Sequence, residues 1–366
     1  MVRLGLRPHL LPHRLPQSAA GDDRVGHFLH HVRSGCPHNY RPRSGAGFVL
    51  LDDAVRVTLT AQEVKARAAE LGFVACGITD LGPSSRGDAL DRWLRQGYGG
   101  NMRYINRQAK KRKDLRLIDR EARRAVVILD NYYYPETAHA DSIPRTARYS
   151  RSTDYHIITL KRINQLAELL LEHGAKTARP YVDTGPVPER ELAERAGLGW
   201  IGKNTMLLRP GLGSWFVIGS IFTDLPLDVD PPFATDHCGS CTKCLDACPT
   251  DAFVEPYILD ATKCISYLTI EYKKEIPAEL AGQLGGWAFG CDICNDVCPW
   301  NLRFATEATI PEFRDRGELR GADEAFFDRM TEGEFEARFG DTPLARPGLE
   351  RMRRNWRNAW GSLRKT

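Results

Sequence analysis

Eight of the ten cysteines fall into two closely spaced runs and one position between them. The first run, at residues 238–248, reads C-x2-C-x2-C-x3-C and is followed at once by a proline. The second, at residues 291–298, reads C-x2-C-x3-C before another proline, and Cys264 lies between the runs. Three thiolates on one tight loop can reach three irons of a cubane cluster, while the fourth, beside a proline, points towards a second cluster. The spacing therefore predicts iron–sulfur chemistry.

We assign the eight thiolates to two [4Fe–4S] clusters with crossed pairing. One cluster is predicted to use Cys238, Cys241, Cys244 and Cys298, and the other Cys248, Cys264, Cys291 and Cys294. Structural zinc also uses C-x2-C pairs, but this first run places four thiolates too close together for one tetrahedral ion. The other two cysteines, Cys36 and Cys76, follow no pattern. Cys76 lies in an apolar stretch and is predicted to be a buried strand residue.

The composition is that of a cytoplasmic globular enzyme. The 366 residues can hold two or three domains, and 42% hydrophobic residues with a mean hydropathy of −0.40 are ordinary values. No apolar run approaches the ~20 residues of a membrane helix. Oxygen-sensitive clusters and free thiols indicate a reducing compartment. The net charge of +4 alone says little about nucleic acid.

The first 59 residues differ from the rest of the chain. Residues 1–50 contain seven Arg, six of the ten His and no Lys, with Asp22 and Asp23 as the acids. They show no helical or strand period. An Arg-rich, acid-poor start can be a transit peptide, but the abrupt change of composition favours a translated upstream stretch that does not fold. The absence of an apolar core argues against a secretory signal, and no twin-arginine pair lies near the start.

The hydrophobic pattern predicts an α+β or α/β domain at residues 60–227. A capping box at Thr60 opens a predicted helix to residue 71, and a longer helix is expected at 154–173, with Leu171 on its buried side and Gly174 as its end. Predicted strands cover residues 73–78, 125–129, 206–208 and 215–222. A ferredoxin-like module is expected at 228–303, entered through a linker at 228–232, and a basic helical segment at 304–366.

Residues 197–202 match G-x-G-x-x-G, yet we do not expect a dinucleotide site there. Such a site needs a strand before the loop and a helix after it. Here a predicted helix, residues 189–196, comes first, and a strand follows. The glycines more simply allow a tight loop beside a bulky group.

Asp183 is the main candidate for acid chemistry. It lies in a turn of Thr, Gly and Pro residues just before the glycine-rich loop. An aspartate in such a turn often only caps a helix. A carboxyl group positioned there could instead donate a proton. Glu189, six residues on, is predicted to be a surface carboxylate at the start of the next helix.

Several long segments resemble the epoxyqueuosine reductases of bacterial tRNA modification, over roughly residues 60–360. Shorter matches to the family are Asp154-Tyr155-His156 and Arg346. Pro188 differs from the family, which usually has an aliphatic residue at this position. The longer matching segments are residues 182–206, CGSCTKCLDACPT from Cys238, CISYLTIEYKKEIP from Cys264, and GCDICNDVCPWN from Gly290.

The resemblance implies an N-terminal corrinoid-binding domain like that of reductive dehalogenases, two [4Fe–4S] clusters and base-off cobalamin. The implied reaction reduces the epoxide of epoxyqueuosine, at the tRNA wobble position, to queuosine, with Asp183 as proton donor. The D-x-H-x-x-G signature of a histidine-ligated corrinoid is missing from residues 154–159. The implied cobalamin contacts are Arg112, Ala147, Asp183, Leu207, Ile218, Ser266, Lys273, Cys291 and Asp292. Arg112 could equally be a solvated charge, and Leu207 and Ile218 could be core residues.

The implied partners are a tRNA anticodon stem-loop and an unidentified low-potential electron donor, and we expect a monomer that binds no membrane. Residues 346–366 hold seven Arg or Lys but one acid, Glu350, with Trp356 and Trp360 on one helix face. This helix is either a phosphate-contacting surface or one packed by its tryptophans. Two other functions stay open. A corrinoid reductive dehalogenase would favour a twin-arginine leader, and a plain electron carrier would bind no corrinoid.

Overall fold

A four-stranded antiparallel sheet organises the first half of the folded chain. The computed structural model describes residues 59–136 and 143–364. In chain order, the strands are β1 Ala75–Asp80, β2 Arg124–Asn131, β3 Arg145–Thr146, β4 Ala178–Val182, β5 Trp200–Ile201, β6 Leu207–Leu208, β7 Phe216–Thr223, β8 Phe253–Glu255, β9 Ile258–Leu259 and β10 Trp287–Phe289. The main sheet has the order β1–β2–β7–β4, and all its neighbouring strands are antiparallel.

Helices surround this sheet and make up most of the remainder. They are α1 Ala61–Glu70, α2 Gly87–Arg95, α3 Arg103–Arg107, α4 Ala109–Lys113, α5 Tyr155–Glu172, α6 Glu189–Arg195, α7 Lys243–Asp246, α8 Ile265–Ile270, α9 Ala278–Gly282, α10 Ile293–Asp296, α11 Pro299–Phe304, α12 Glu332–Phe339 and α13 Leu349–Leu363. Short 3₁₀ turns lie at Leu115–Leu117, Arg148–Ser150, Pro311–Phe313 and Pro343–Ala345. None of the helices within the described ranges is long and apolar enough to cross a membrane.

Strand β2 is buried on both faces because helices cover both sides of the sheet. Successive side chains of a strand point to opposite faces. Val126 and Ile128 accordingly pack with α1 and α5. Val127 and Leu129 pack with α6 and the 3₁₀ turn at Leu115–Leu117. The sequence shows this as an unbroken apolar run, and the resulting three layers confirm the predicted mixed fold class.

The two long helices predicted in this domain are present. Thr60 and Glu63 form the capping box of α1 through reciprocal hydrogen bonds. Helix α5 ends where Gly174 adopts a φ of +93°, a left-handed conformation suited to glycine. The prediction was wrong for Leu171, whose side chain is 47% exposed, because one residue advances the helix by about 100° and Leu170 already occupies the buried position.

The four strands predicted from apolar runs are also present, with shifted ends. Cys76 lies on β1 opposite Ile128 and packs at the margin of the core as a half-buried residue. The predicted linker at 228–232 is held to strand β1 by hydrogen bonds. The Asp230 amide donates to the carbonyl of Ile78, and its carboxylate accepts from the Ile78 amide, both at 2.8 Å.

The C-terminal helix α13 is a packing element. Trp356 is fully buried among Phe327, Phe335 and Phe339, which confirms that the helix is packed by a tryptophan. Trp360 packs at the edge of the same cluster. The domain boundaries stay a prediction. The unfolded extension predicted for residues 1–59, with Cys36, lies outside the described residues except for Leu59, which packs in the core.

Candidate active site

The structure brings cysteines from distant parts of the chain into two neighbouring groups. Burial raises the pKa of the Cys244 thiol to about 11, helped by the nearby Cys298 and Cys238. Burial likewise raises the pKa of Cys294 well above its ordinary value, and Cys264 contributes to that rise. Cys298 of the second run packs in one small cluster with Cys238 of the first run and Trp200, as crossed pairing requires. The ligand assignment itself stays a prediction.

These thiols suit a polynuclear iron centre. Buried thiols that raise one another's pKa values become thiolates when a metal compensates their charge. Among the described residues, no three His, Cys, Asp or Glu side chains converge as ligands of a single ion, and a cubane cluster does not need this because its thiolates bind different irons. Two donors already face the sulfurs. The Trp200 indole lies 3.5 Å from Cys238 Sγ, and the Ala252 amide lies 3.4 Å from Cys248 Sγ.

The glycine-rich loop supports this region. It follows helix α6 and leads into the hairpin of β5 and β6, the reverse of the order that a dinucleotide site requires. A Cβ on Gly199 would lie 2.0 Å from the carbonyl oxygen of Leu208. One on Gly202 would lie 3.4 Å from Cys238 Sγ. The glycines thus let the backbone approach the hairpin and the cysteine region closely.

A cavity of about 1180 Å³ separates the cysteines from the Asp183 loop. One wall carries Cys248, Cys264, Cys291 and Cys294, while the other four cluster cysteines do not reach it. Tyr132, Tyr149 and Tyr155 contribute aromatic surface. The predicted cofactor contacts that line the cavity are Arg112, Asp183, Leu207, Ile218, Ser266, Cys291 and Asp292.

Two predicted cofactor contacts lie elsewhere. Ala147 is fully buried in the adjoining core, beneath the wall rather than on it. Lys273 is exposed and does not line the cavity. Asp292, in contrast, is held firmly in the wall, since its carboxylate accepts the Arg148 amide at 2.8 Å. Burial raises the pKa of Asp292 to about 6, although Arg148 opposes the rise.

Asp183 is held at the cavity by contacts on both its backbone and its side chain. It follows strand β4 with a φ of +52°, a strained conformation for a residue other than glycine. Its Oδ2 accepts a hydrogen bond of 2.8 Å from the Tyr155 hydroxyl. Its amide donates to Glu189 Oε1 at 2.7 Å. Helix α6 has Pro188 as its N-cap, so the helix-capping interpretation of Asp183 is wrong.

Glu189 belongs to the site, which corrects its prediction as a surface carboxylate. It is half-buried and lines the cavity. Burial and the charge of Asp183 raise its pKa to about 8. Arg112 braces the same loop by donating to the carbonyls of Gly185 at 3.4 Å and Val187 at 3.3 Å. Arg112 is therefore not a freely solvated charge.

Two further groups near Asp183 had no clear chemical signal in the sequence. His156 Nε2 lies 3.9 Å from Asp183 Oδ2. Arg346 pairs with Glu271 at 2.6 Å and lies close enough to Asp183 for their charges to interact. Both stood in short segments that resembled a family, but their spacing from Asp183 gave no indication of contact, since the fold alone brings them together.

Clustered cysteines beside a large, open cavity with a positioned carboxylate define an iron–sulfur oxidoreductase. Residues 237–301 match the 4Fe-4S double cluster binding domain, and residues 112–184 match the epoxyqueuosine reductase QueG, DUF1730 family. The epoxyqueuosine reductase of Pseudomonas aeruginosa is 44% identical over 301 residues, which are 81% of this chain and 83% of that protein. The chain belongs to the epoxyqueuosine reductase family.

Solved structures agree with this family. An epoxyqueuosine reductase crystallised with an epoxyqueuosine-modified tRNA stem loop is 30% identical with a TM-score of 0.75, over 82% of this chain and 81% of that one. The Bacillus subtilis enzyme is 29% identical with a TM-score of 0.74, over 83% and 82%. In that structure a catalytic aspartate loop is swung out of the active site.

Proposed function

We propose that this protein reduces the epoxide of epoxyqueuosine in tRNA to the alkene of queuosine, using two [4Fe–4S] clusters, cobalamin and Asp183. The observation that carries the proposal is the cavity, which has cluster cysteines on one wall and Asp183 on the other. Electrons and a proton can thus reach one substrate in the cavity from two sides. A plain electron carrier would not need this cavity or the positioned carboxylate.

The cavity fits a corrinoid. Its volume of about 1180 Å³ exceeds the ~300–1,000 Å³ of ordinary ligand pockets, as a large macrocycle requires. Arg112 lines it and has a buried Nε without a hydrogen-bond partner among the described residues. We expect Arg112, Leu207, Ile218 and Ser266 to hold the cofactor. When bound, it would supply a cobalt centre that takes single electrons and reacts with the epoxide carbon.

The ring of lining residues also bears on the state of the cofactor. No histidine is among the described residues that line the cavity. The family resemblance implies base-off cobalamin, and we propose that state here. Asp292, Tyr132 and Tyr149 also line the cavity and would help to hold the cofactor.

The arrangement of cysteines gives the electrons a direction. Only the group with Cys248, Cys264, Cys291 and Cys294 borders the cavity. The group with Cys238 lies behind it. We infer that an external low-potential donor first reduces the cluster that includes Cys238, which lies away from the cavity. The cluster that includes Cys248 then passes single electrons into the cavity.

Asp183 can supply the proton that epoxide opening requires. Breaking a C–O bond leaves an alkoxide, and a carboxylic acid within reach can protonate it. The Tyr155 hydroxyl fixes Oδ2, and the Glu189 carboxylate fixes the backbone. Since the Asp183 side chain is 50% exposed towards the cavity, it can contact a substrate there.

A basic surface at the cavity entrance is the better candidate for tRNA contact. Arg103, Arg107, Lys110 and Lys111 are exposed and form no ion pair within the described ranges. In the same segment, Ile105 and Arg112 line the cavity. Four unpaired cations beside the site suit the phosphates around a flipped-out nucleotide. A tRNA substrate would also place the enzyme in the cytoplasm.

The arginines of α13 suit this role less well. Arg354 is buried and donates to the carbonyls of Leu268 and Tyr272. Arg351 donates to the carbonyls of Ile270 and Pro347. These two guanidinium groups donate to carbonyls within the protein and are not free to contact phosphates.

The test uses the full-length protein reconstituted anaerobically with iron, sulfide and cobalamin. An epoxyqueuosine-modified anticodon stem-loop and a strong one-electron reductant are added, and the digested nucleosides are analysed by mass spectrometry. We expect queuosine, lighter by one oxygen, only when cobalamin is present. Substrate returned unchanged by cluster-replete, corrinoid-loaded protein would contradict the proposal. Conversion of a halogenated phenol instead would favour a dehalogenase.

A further inference from the structure

The proposed reaction needs one proton more than Asp183 holds. Converting an epoxide to an alkene breaks two C–O bonds, forms the second C–C bond and releases the oxygen as water. The balance is two electrons and two protons for each substrate. The external donor supplies both electrons through the clusters. A single carboxyl group supplies one proton, so Asp183 must be reprotonated within each turnover.

His156 occupies the position from which this could happen. Its Nε2 lies 3.9 Å from Asp183 Oδ2 and is buried with no hydrogen-bond partner among the residues described. Its Nδ1 lies 2.7 Å from Asp154 Oδ1. The ring stacks on Tyr155 with centroids 4.2 Å apart. A buried polar atom without a partner is costly, and a modest side-chain rotation would join Nε2 to Asp183.

We propose that His156, oriented by Asp154, returns a proton to Asp183 during turnover. The statement rests on the proposed function and extends its acid chemistry by a second group. Imidazole exchanges protons near neutral pH, and a carboxylate on its far nitrogen fixes which nitrogen faces the acceptor. In this arrangement His156 acts through Asp183 and does not touch the substrate.

The other groups around Asp183 are poorer proton sources. Tyr155 donates to the same oxygen, but burial and the charge of Asp183 raise its pKa well above its ordinary value, so it keeps its proton. Glu189 presents its Oε1 to the Asp183 amide rather than to the carboxylate. Other charged or titratable groups near Asp183 and His156 include Asp154, Tyr104, Tyr149, Arg112, Arg190 and Arg346. Burial raises the pKa of Tyr104 and of Tyr149, so both keep their protons, and the arginines cannot give one up.

The relay predicts a specific pH dependence. The protonated imidazole is the donor, so turnover should fall as rising pH removes that proton. Replacing His156 by glutamine keeps a polar side chain and removes the titration. We expect kcat of His156→Gln to fall by at least about tenfold and to lose this limb of the pH profile. Binding of the stem-loop, cobalamin content and iron content should be unchanged.

The matched control is His173→Gln, at the opposite end of helix α5, where His173 is exposed. It should keep wild-type kcat and pH profile. Asp154→Asn should show a smaller loss than His156→Gln. Wild-type kcat and pH profile in His156→Gln would overturn the relay alone. Wild-type protein that cannot reduce the stem-loop would remove the proposed function and the relay with it.

Discussion

The two walls of the cavity differ in how the sequence encodes them. One wall carries Cys248, Cys264, Cys291 and Cys294, and we call it the cysteine wall. Apart from Cys264, these residues belong to short runs whose spacing alone predicts an iron–sulfur cluster. The opposite wall carries Asp183 and Tyr155, whose segments are separated by an entire helix and strand, and His156 lies 3.9 Å from Asp183 outside the lining. A cluster site can be encoded by local spacing because one loop supplies three ligands. The site around Asp183 takes single residues from separate segments, so no local spacing predicts it and the fold must bring them together.

The largest effect should come from breaking the cysteine wall. Cys248→Ser and Cys291→Ser should each lower iron from about eight to about four per chain and abolish turnover, because each removes a ligand of the same predicted cluster. Electron paramagnetic resonance of the reduced variants should show the same surviving signal. A shared loss for Cys248→Ser and Cys244→Ser would instead mean that the pairing is not crossed.

Removing the acid group of Asp183 should leave the cysteine wall intact. Asp183→Asn retains size and a hydrogen-bond acceptor but cannot act as an acid. We expect turnover of the stem-loop to fall by ~10²–10⁴-fold, with iron, bound cobalamin and its reduction unchanged. The exposed Asp88 provides the control, since Asp88→Asn lies outside the cavity lining. Full turnover in Asp183→Asn would exclude the proton-donor role.

The proposed tRNA contact of the basic surface beside the cavity can be tested by neutralising its charges. Replacing Arg103, Arg107, Lys110 and Lys111 by glutamine should weaken stem-loop binding and flatten its salt dependence. Each lost phosphate contact lowers the slope by about 0.7–0.9. A control with the same change in charge replaces four exposed arginines elsewhere, Arg314, Arg329, Arg357 and Arg364. Equal weakening by both variants would indicate a general charge effect.

The smallest effect concerns the pH dependence of stability. Glu189 has a pKa of about 8 in the folded protein against an ordinary 4.5. The folded protein thus holds a proton that the unfolded chain releases, and the free energy of unfolding should fall as pH rises from about 5 to about 8. Glu189→Gln should flatten this fall, measured by urea unfolding across the range. Glu172→Gln, an exposed change, should not.

The sequence predicted what depends on short-range pattern. The capping box at Thr60, the end of α5 at Gly174 and the grouping of cysteines all rest on neighbours within a few residues. Predictions failed where long-range contacts decide. Glu189 looked like a surface carboxylate because nothing local showed that the Asp183 amide would donate to it. The sequence left open whether the basic residues of 346–366 contact phosphate, because the carbonyls that Arg354 binds lie about 80 residues earlier.

Resemblance supplied information that spacing could not. It directed attention to Arg112, Leu207, Ile218 and Ser266, which all line the cavity. It did not serve equally well for Lys273, which is exposed away from it. Motifs therefore predicted which segments form the site, but only the folded structure shows which side chains of those segments line the cavity.

The grip of α13 on the cavity wall has a consequence for biosynthesis. Arg354 and Asn355 bind the carbonyls of Leu268, Thr269 and Tyr272, in and just after the helix that carries Ser266. Arg354 and Asn355 follow the cysteines, Asp183 and the sheet in the chain and are therefore synthesised after them. This wall thus lacks its support until residues 354 and 355 have been made. Truncated chains would therefore carry every cluster ligand and still lack a finished cofactor wall.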